Sequence, residues 1–122
     1  MKKILIIEDE PDIVFLLETR LGAKGYDIIS AQSGVEGLLK ARTEKPALIL
    51  LDIMMPGMDG YQVLKSLKSE EATKNIPVIG LTASVAVFKA GAFVKAGGDD
   101  CLTKPFESAD LYQKIETALA KK

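Results

Sequence analysis

Short runs of apolar residues, each stopped by polar residues, recur along the chain. One run follows Pro46 and extends over Ala47–Leu51 until Asp52 ends it, and an earlier run, Ile4–Ile7, ends at Glu8. A continuous apolar run of this length, bounded by turn residues, is typical of a strand that is buried on both faces of a sheet. The pattern therefore predicts core strands whose carboxyl ends carry polar side chains.

Between these runs, apolar residues recur every three or four positions, which is the period of a helix. The predicted strands are Lys3–Ile7, Tyr26–Ala31, Ala47–Leu51, Ile76–Leu81 and Cys101–Thr103. The predicted helices are one opened by Pro11, one capped by Ser33, one from Gly60, one over Thr82–Ala96, and a closing helix with Leu111, Ile115 and Leu119. The residues expected to face the sheet are Val35, Leu38 and Leu39 in the second helix and Val63, Leu64 and Leu67 in the third. Strict alternation predicts an α/β fold, in which helices cover both faces of a parallel sheet and ligands bind beyond the carboxyl ends of the strands.

The composition fits one domain over residues 1–122 and excludes several classes of function. The chain has 16 Lys and Arg residues against 17 Asp and Glu residues and no basic run, so no direct nucleic-acid partner is expected. No apolar stretch is long enough for a membrane span or a signal peptide, and the single cysteine, Cys101, cannot form an internal disulfide, so the cytoplasm is the expected compartment. The absence of histidine excludes histidine-based metal sites and Ser-His-Asp triads. Any chemistry must come from acids, threonine and lysine.

Four short motifs follow the predicted strands in a fixed order. They are Glu8–Asp9 after the first strand, Leu51–Asp52 with Met55–Pro56 and Met58–Asp59–Gly60 at the third, Thr82–Ala83–Ser84 at the fourth, and Lys104–Pro105–Phe106 after the fifth. With these motifs the whole chain resembles the receiver domains of two-component response regulators. The resemblance implies a flavodoxin-like, doubly wound sheet of five parallel strands in the order 2-1-3-4-5 with five helices. It also implies a cis peptide bond before Pro105.

A magnesium site is expected at the carboxyl ends of the strands. Glu8, Asp9 and Asp52, if brought close together, would repel one another unless a cation neutralised them. Mg²⁺ prefers oxygen ligands and commonly binds through one or two carboxylates together with a phosphoryl group. The resemblance implies that Asp9 and Asp52 bind the metal directly and that the backbone carbonyl of Met54 is a further ligand. Glu8 is then expected to act largely through water.

The resemblance also implies a function. Asp52 would attack the phosphorus of a phosphohistidine on a histidine kinase or phosphotransfer protein and form an aspartyl phosphate. The ammonium group of Lys104 and the hydroxyl of Thr82 would stabilise the charge, and hydrolysis would reset the domain, which is catalytic only toward its own modification. Phosphorylation would shift the population of states at the face formed by the fourth helix, fifth strand and fifth helix. That face would bind a downstream protein target, an output domain or a second copy of the chain.

Two positions depart from the family pattern. Cys101 stands three residues before the lysine, where relatives usually carry an aromatic residue that couples to the threonine on phosphorylation. We therefore expect Thr82 to move without the aromatic half of the switch and the output to depend on displacement of the fourth helix; a small buried residue without a switching role is the alternative. Val85–Ala96 is apolar on nearly every face, which indicates either a docking surface or a short, frayed helix that Gly91 weakens.

Two other functions compete with phosphorylation. A phosphorylation-independent interaction module would not require Asp9, Asp52, Thr82 and Lys104 together. A small-molecule phosphatase would normally carry a second acid two residues after the nucleophile, and Met54 stands there. Each residue taken singly also has a structural explanation. Acids after the first strand and Thr82 are typical of helix N-termini, and a single lysine such as Lys104 is typical of a solvated surface. The joint pattern favours the phosphoacceptor site, either in a stand-alone regulator or in one domain of a longer protein.

Overall fold

Strands and helices alternate along the chain, as the sequence predicts. The computed structural model of the protein describes residues 2–54, 59–86 and 91–120. The strands are β1 (Lys3–Ile7), β2 (Asp27–Ala31), β3 (Leu48–Asp52), β4 (Val78–Thr82) and β5 (Asp100–Thr103). The helices within the described ranges are α1 (Pro11–Ala23), α2 (Gly34–Glu44), α3 (Gly60–Ser69), α4 (Ala92–Lys95) and α5 (Ser108–Ala120). None of them is long and apolar enough to cross a membrane.

The five strands form one parallel sheet in the order β2-β1-β3-β4-β5. Because alternate residues of a strand face opposite sides of a sheet, two cores result. In the front core, Leu5 and Ile7 of β1 pack with α2, α3 and Phe93 of α4. In the back core, Ile4 and Ile6 pack with α1 and α5. The predicted strand order and the helices on both faces are confirmed.

The start of β4 differs from the prediction because of the turn that precedes it. The sequence places the strand start at Ile76, but the backbone N–H of Ile76 donates to the carbonyl of Thr73 in that turn. The next residue, Pro77, has no N–H to donate to a neighbouring strand. The strand therefore begins at Val78, and its last residue is Thr82.

The prediction of a single helix over Thr82–Ala96 is wrong at its start and in its continuity. Thr82 belongs to β4, and Gly91 has a left-handed backbone (φ 65°) that a regular helix does not contain. Val85 and Ala86 are helical, and α4 begins only after Gly91. The remainder of the predicted helix, residues 87–90, lies outside the described residues.

The face of α2 that meets the sheet also differs from the prediction. Leu38 is buried, as expected, but Val35 is 70% exposed and Leu39 is 56% exposed. Small residues bring the helix close to β1: a Cβ atom on Gly37 would lie 2.5 Å from Cδ1 of Ile7. The contact stripe therefore consists of Gly34, Gly37, Leu38 and Ala41. The prediction from large apolar residues was therefore wrong for Val35 and Leu39.

Two adjacent leucines of α2 provide a test of this packing. We expect Leu38→Ala to lower the free energy of unfolding by roughly 2–3 kcal/mol, because it leaves a cavity in the front core. Leu39→Ala should change it by only about 0.5 kcal/mol, since the side chain is largely in solvent. Urea unfolding followed by circular dichroism measures both values. Equal losses in the two variants would contradict the position of α2.

Candidate functional site

Two carboxylates and an ammonium group meet at the carboxyl ends of the central strands. Glu8 directly follows β1, Asp52 is the last residue of β3, and Lys104 directly follows β5. The Lys104 Nζ atom lies 2.7 Å from Oε1 of Glu8 and 3.5 Å from Oδ2 of Asp52. The peptide bond between Lys104 and Pro105 is cis, as the resemblance implies. Residues far apart in sequence thus form one charged cluster.

The position of Asp52 is fixed by its surroundings. Its side chain is almost completely buried, and Oδ1 accepts a hydrogen bond from the backbone N–H of Met54 at 3.1 Å. Its other oxygen, Oδ2, faces Lys104. The side chain of Met54 is 67% exposed, so it lies beside the cluster and not within it. One carboxylate oxygen is therefore held by the backbone while the other faces a cation.

Glu8 has an unusual electrostatic environment. It is fully buried, its Oε1 accepts from Lys104, and its Oε2 accepts from the backbone N–H of Glu10 at 3.2 Å. The pKa of Glu8 is raised from 4.5 to about 7, mainly by burial and also by the nearby Asp52, against the lowering effect of Lys104. Burial lowers the pKa of Lys104, but the hydrogen bond to Glu8 and the surrounding carboxylates outweigh it and raise that pKa. The cluster carries more acids than its single lysine can neutralise.

The oxygen atoms at this site form a set that a hard cation could bind. Glu8, Glu10 and Asp52 each offer a carboxylate oxygen, and the three oxygens lie within 4.8 Å of one another. Oxygen-only donors with excess negative charge suit Mg²⁺. Asp9, the ligand expected from the sequence, lies outside this group. It is half-buried and lines a neighbouring cavity of about 220 Å³ together with Glu8 and residues of α1 and β2.

Glu10 is the member of the cluster that sequence reasoning missed. It was interpretable as one more acid at a helix N-terminus, and it is indeed the residue before α1. Its side chain makes no capping hydrogen bond, however, and its Oε1 lies 3.7 Å from the Nζ atom of Lys104. The uninterrupted series of acids from Glu8 to Glu10 was the available signal.

Thr82 ends the strand next to β3. The register of the two strands pairs Asp52 with Leu81, so Thr82 lies one residue beyond that pair. Its side chain is fully buried, and Oγ1 accepts a hydrogen bond from the backbone N–H of Ser84 at 3.0 Å. The backbone N–H of Lys104 donates to the carbonyl of Thr82 at 2.7 Å. Thr82 is therefore tied through the backbone to the lysine of the cluster.

A comparison with protein families gives one match across most of the chain. The family model described as the response regulator receiver domain matches residues 4–116. Among curated proteins, the alkaline phosphatase synthesis transcriptional regulatory protein PhoP of Bacillus subtilis is 42% identical over 118 residues, which cover 97% of this chain and 48% of that protein. The response regulator PleD of Caulobacter vibrioides is 36% identical over 115 residues, which cover 94% of this chain and 25% of that protein. The chain thus spans about half or less of the length of these relatives.

Solved structures agree with this match. The signal receiver domain of a signal transduction histidine kinase from Syntrophus aciditrophicus has a TM-score of 0.90 and 31% identity, covering 99% of this chain and 92% of that chain. The receiver domain of the sensor histidine kinase PA1611 from Pseudomonas aeruginosa has a TM-score of 0.88 and 27% identity, with 98% of each chain covered. That receiver domain has a magnesium ion coordinated in its active site cleft.

Proposed function

This chain belongs to the response regulator receiver domain family of two-component signalling, and we propose that its phosphoacceptor is Asp52. The observation that carries the proposal is the environment of this carboxylate. It is buried at a strand end, one oxygen is held by a backbone N–H, and the other faces Lys104 at 3.5 Å. A fixed carboxylate beside a cation is suited to attack on a phosphoryl group, whose negative charge a cation must offset.

The donor set supports magnesium as the cofactor. Glu8, Glu10 and Asp52 present closely spaced oxygens, and we propose that Mg²⁺ is held among them. Asp9 and the backbone carbonyl of Met54 are the further ligands that the family resemblance implies. When bound, the ion would neutralise the carboxylates and the oxygens of the incoming phosphoryl group.

The side chains have distinct roles in the proposed transfer. An Oδ atom of Asp52 forms a bond to phosphorus while the bond from phosphorus to the histidine nitrogen of the donor breaks, and that nitrogen keeps the electron pair. The ammonium group of Lys104 stabilises negative charge on the phosphoryl oxygens, and the hydroxyl of Thr82 donates a hydrogen bond to one of them. Attack of water on phosphorus later releases phosphate and restores Asp52. The domain therefore acts only on its own modification and is not a conventional enzyme.

We propose a histidine kinase or a phosphotransfer protein as the upstream partner. The downstream partner is an output domain or a separate protein that binds the face formed by α4, β5 and α5, and a second copy of the chain is a further candidate for that face. The relative from Bacillus subtilis is a transcriptional regulatory protein that is about twice as long as the match, which supports an output domain. The receiver itself is not expected to bind nucleic acid. The cytoplasmic location inferred from the sequence stays a prediction.

The proposal is tested by incubation with acetyl phosphate and Mg²⁺, followed by intact mass spectrometry. We expect one phosphoryl group on the protein when the ion is present, and a loss of phosphorylation rate of about 10²-fold or more when EDTA removes it, because the carboxylate cluster then repels the donor. Re-addition of Mg²⁺ should restore the rate. A protein that stays unphosphorylated with both reagents present would favour a phosphorylation-independent interaction module.

A further inference from the structure

Phe93 is a fully buried side chain on a very short helix. It belongs to α4, which has four residues, and it is only 1% exposed, whereas its neighbour Val94 is 48% exposed. Glycines with left-handed backbones lie on both sides of this helix: Gly91 (φ 65°) precedes it and Gly97 (φ 115°) follows it. The ring of Phe93 is thus the main apolar anchor of a short segment between two permissive backbone positions.

The ring fills space that three small residues leave. A Cβ atom on Gly98 would lie 2.2 Å from the ring, and a Cβ atom on Gly80 would lie 3.0 Å from it. Cys101 is paired with Gly80 across β4 and β5, is buried, and belongs to the same core as Phe93. A larger residue at Gly98 would displace the ring, and one at Gly80 would press on both the ring and Cδ1 of Ile53, which lies 2.9 Å from the added Cβ position. From Cys101, the sequence predicts that no aromatic side chain couples to Thr82. In the structure, however, the ring of Phe93 from α4 belongs to the same core as Cys101 and packs on Gly80, the residue paired with it.

The ring also lies on the side of β4 that carries Thr82. Gly80 and Thr82 are two residues apart in β4, so they face the same side of the sheet, which is the side of the front core. The ring packs on Gly80 and therefore covers the side-chain position immediately before Thr82.

We propose that Phe93 is the side chain that couples the position of α4 to the state of Thr82, in the role that the family usually gives to an aromatic of β5. This inference rests on the proposed function. When the hydroxyl of Thr82 turns toward a phosphoryl group on Asp52, the ring moves into the vacated space, and α4 follows it by rotation at Gly91 and Gly97. Phe93 is a positioning residue, since it touches no reacting atom.

Cys101 provides a native reporter for the test, because it is the single cysteine of the chain and is buried in the core that contains the ring. The rate of its reaction with a thiol reagent is measured on the full chain, with and without beryllofluoride and Mg²⁺, which mimic the phosphoryl group. We expect a severalfold change of this rate in the wild type and in Val94→Ala, the exposed neighbour on the same helix. In Phe93→Ala the rate should be higher at the start and should not respond to the mimic.

A second variant separates coupling from folding. Gly98→Ala keeps Phe93 but forces its ring out of place, so it should also raise the rate and remove the response. Phosphorylation of Asp52 from acetyl phosphate is followed by mass in every variant and should persist. The thiol reaction rate of Phe93→Ala and Gly98→Ala could still respond to the mimic as strongly as that of Val94→Ala. That result would overturn the coupling through Phe93 but not the proposed phosphoacceptor function. An unphosphorylated wild type would overturn the proposed function and this inference with it.

Discussion

The Asp52→Asn protein should take up no phosphoryl group from acetyl phosphate and Mg²⁺ under conditions that phosphorylate the wild type completely. An amide oxygen at this position keeps the size of the side chain and the hydrogen bond from Met54, but it is not a nucleophile toward phosphorus. We do not expect Glu8 to accept the phosphoryl group in place of Asp52. The pKa of Glu8 is raised to about 7, mainly by burial, so this second carboxyl is partly protonated near neutral pH, and its oxygens already accept two hydrogen bonds.

A matched control makes this experiment specific. Glu71→Gln removes a carboxylate whose side chain is 88% exposed and whose ion pair with Lys74 lies on the surface. We expect this variant to be phosphorylated as fast as the wild type. Circular dichroism of both variants establishes that each is folded. Phosphate on the Asp52→Asn protein, located on another residue by peptide mapping, would show that the phosphoacceptor has been misidentified.

The stability of the metal-free protein should fall as the pH rises from about 4.5 to about 7. In this range the unfolded chain is ionised at Glu8, whereas the folded chain keeps the proton because its pKa is raised from 4.5 to about 7. Unfolding then releases a proton, so the free energy of unfolding decreases with pH. At about 1.4 kcal/mol per pKa unit, the decrease should reach roughly 3 kcal/mol. The stabilisation that protonated Glu8 gives to the folded protein is fully present below pH 4.5 and is lost above pH 7.

Urea unfolding at a series of pH values measures this dependence. Glu8→Gln cannot ionise and should have a nearly flat profile, whereas Glu71→Gln should follow the wild type. If Mg²⁺ binds the carboxylate cluster as proposed, it should reverse the trend at the alkaline end, because a ligand of the folded protein alone stabilises it. A wild-type profile that is flat from pH 5 to pH 8 in EDTA would mean that Glu8 is ionised in the folded state throughout.

The sequence predicts the sheet well because its core strands are continuous runs of apolar residues. The run before Asp52 is apolar at every position, and a strand buried on both faces is the arrangement that such a run favours. The alternation of strands and helices then limits the topology to a parallel sheet, and the family resemblance supplies its order. The convergence of Glu8, Asp52 and Lys104 follows from this topology, because the carboxyl ends of parallel strands meet at one edge.

The pattern of apolar and polar residues does not predict features that depend on close packing. The contact face of α2 is made by glycine and alanine, whose small size lets the backbone approach β1, so the larger Leu39 points into solvent. Glu10 joins the acidic cluster from the position before α1, where an acid would ordinarily be interpreted as a helix cap, and its side chain makes no capping hydrogen bond. The position of Phe93 depends on the absence of side chains at Gly80 and Gly98, which lie in separate parts of the chain.

The division of the apolar interior into front and back cores has a practical consequence for protein engineering. The two cores are separated by the backbone of the sheet, and Phe93 belongs only to the front one. Stabilising substitutions in α1 and α5 should therefore raise the melting temperature while the packing of Phe93 in the front core stays unchanged. A thermostable variant designed in this way would be a suitable scaffold for biosensors that must combine a durable body with an intact response.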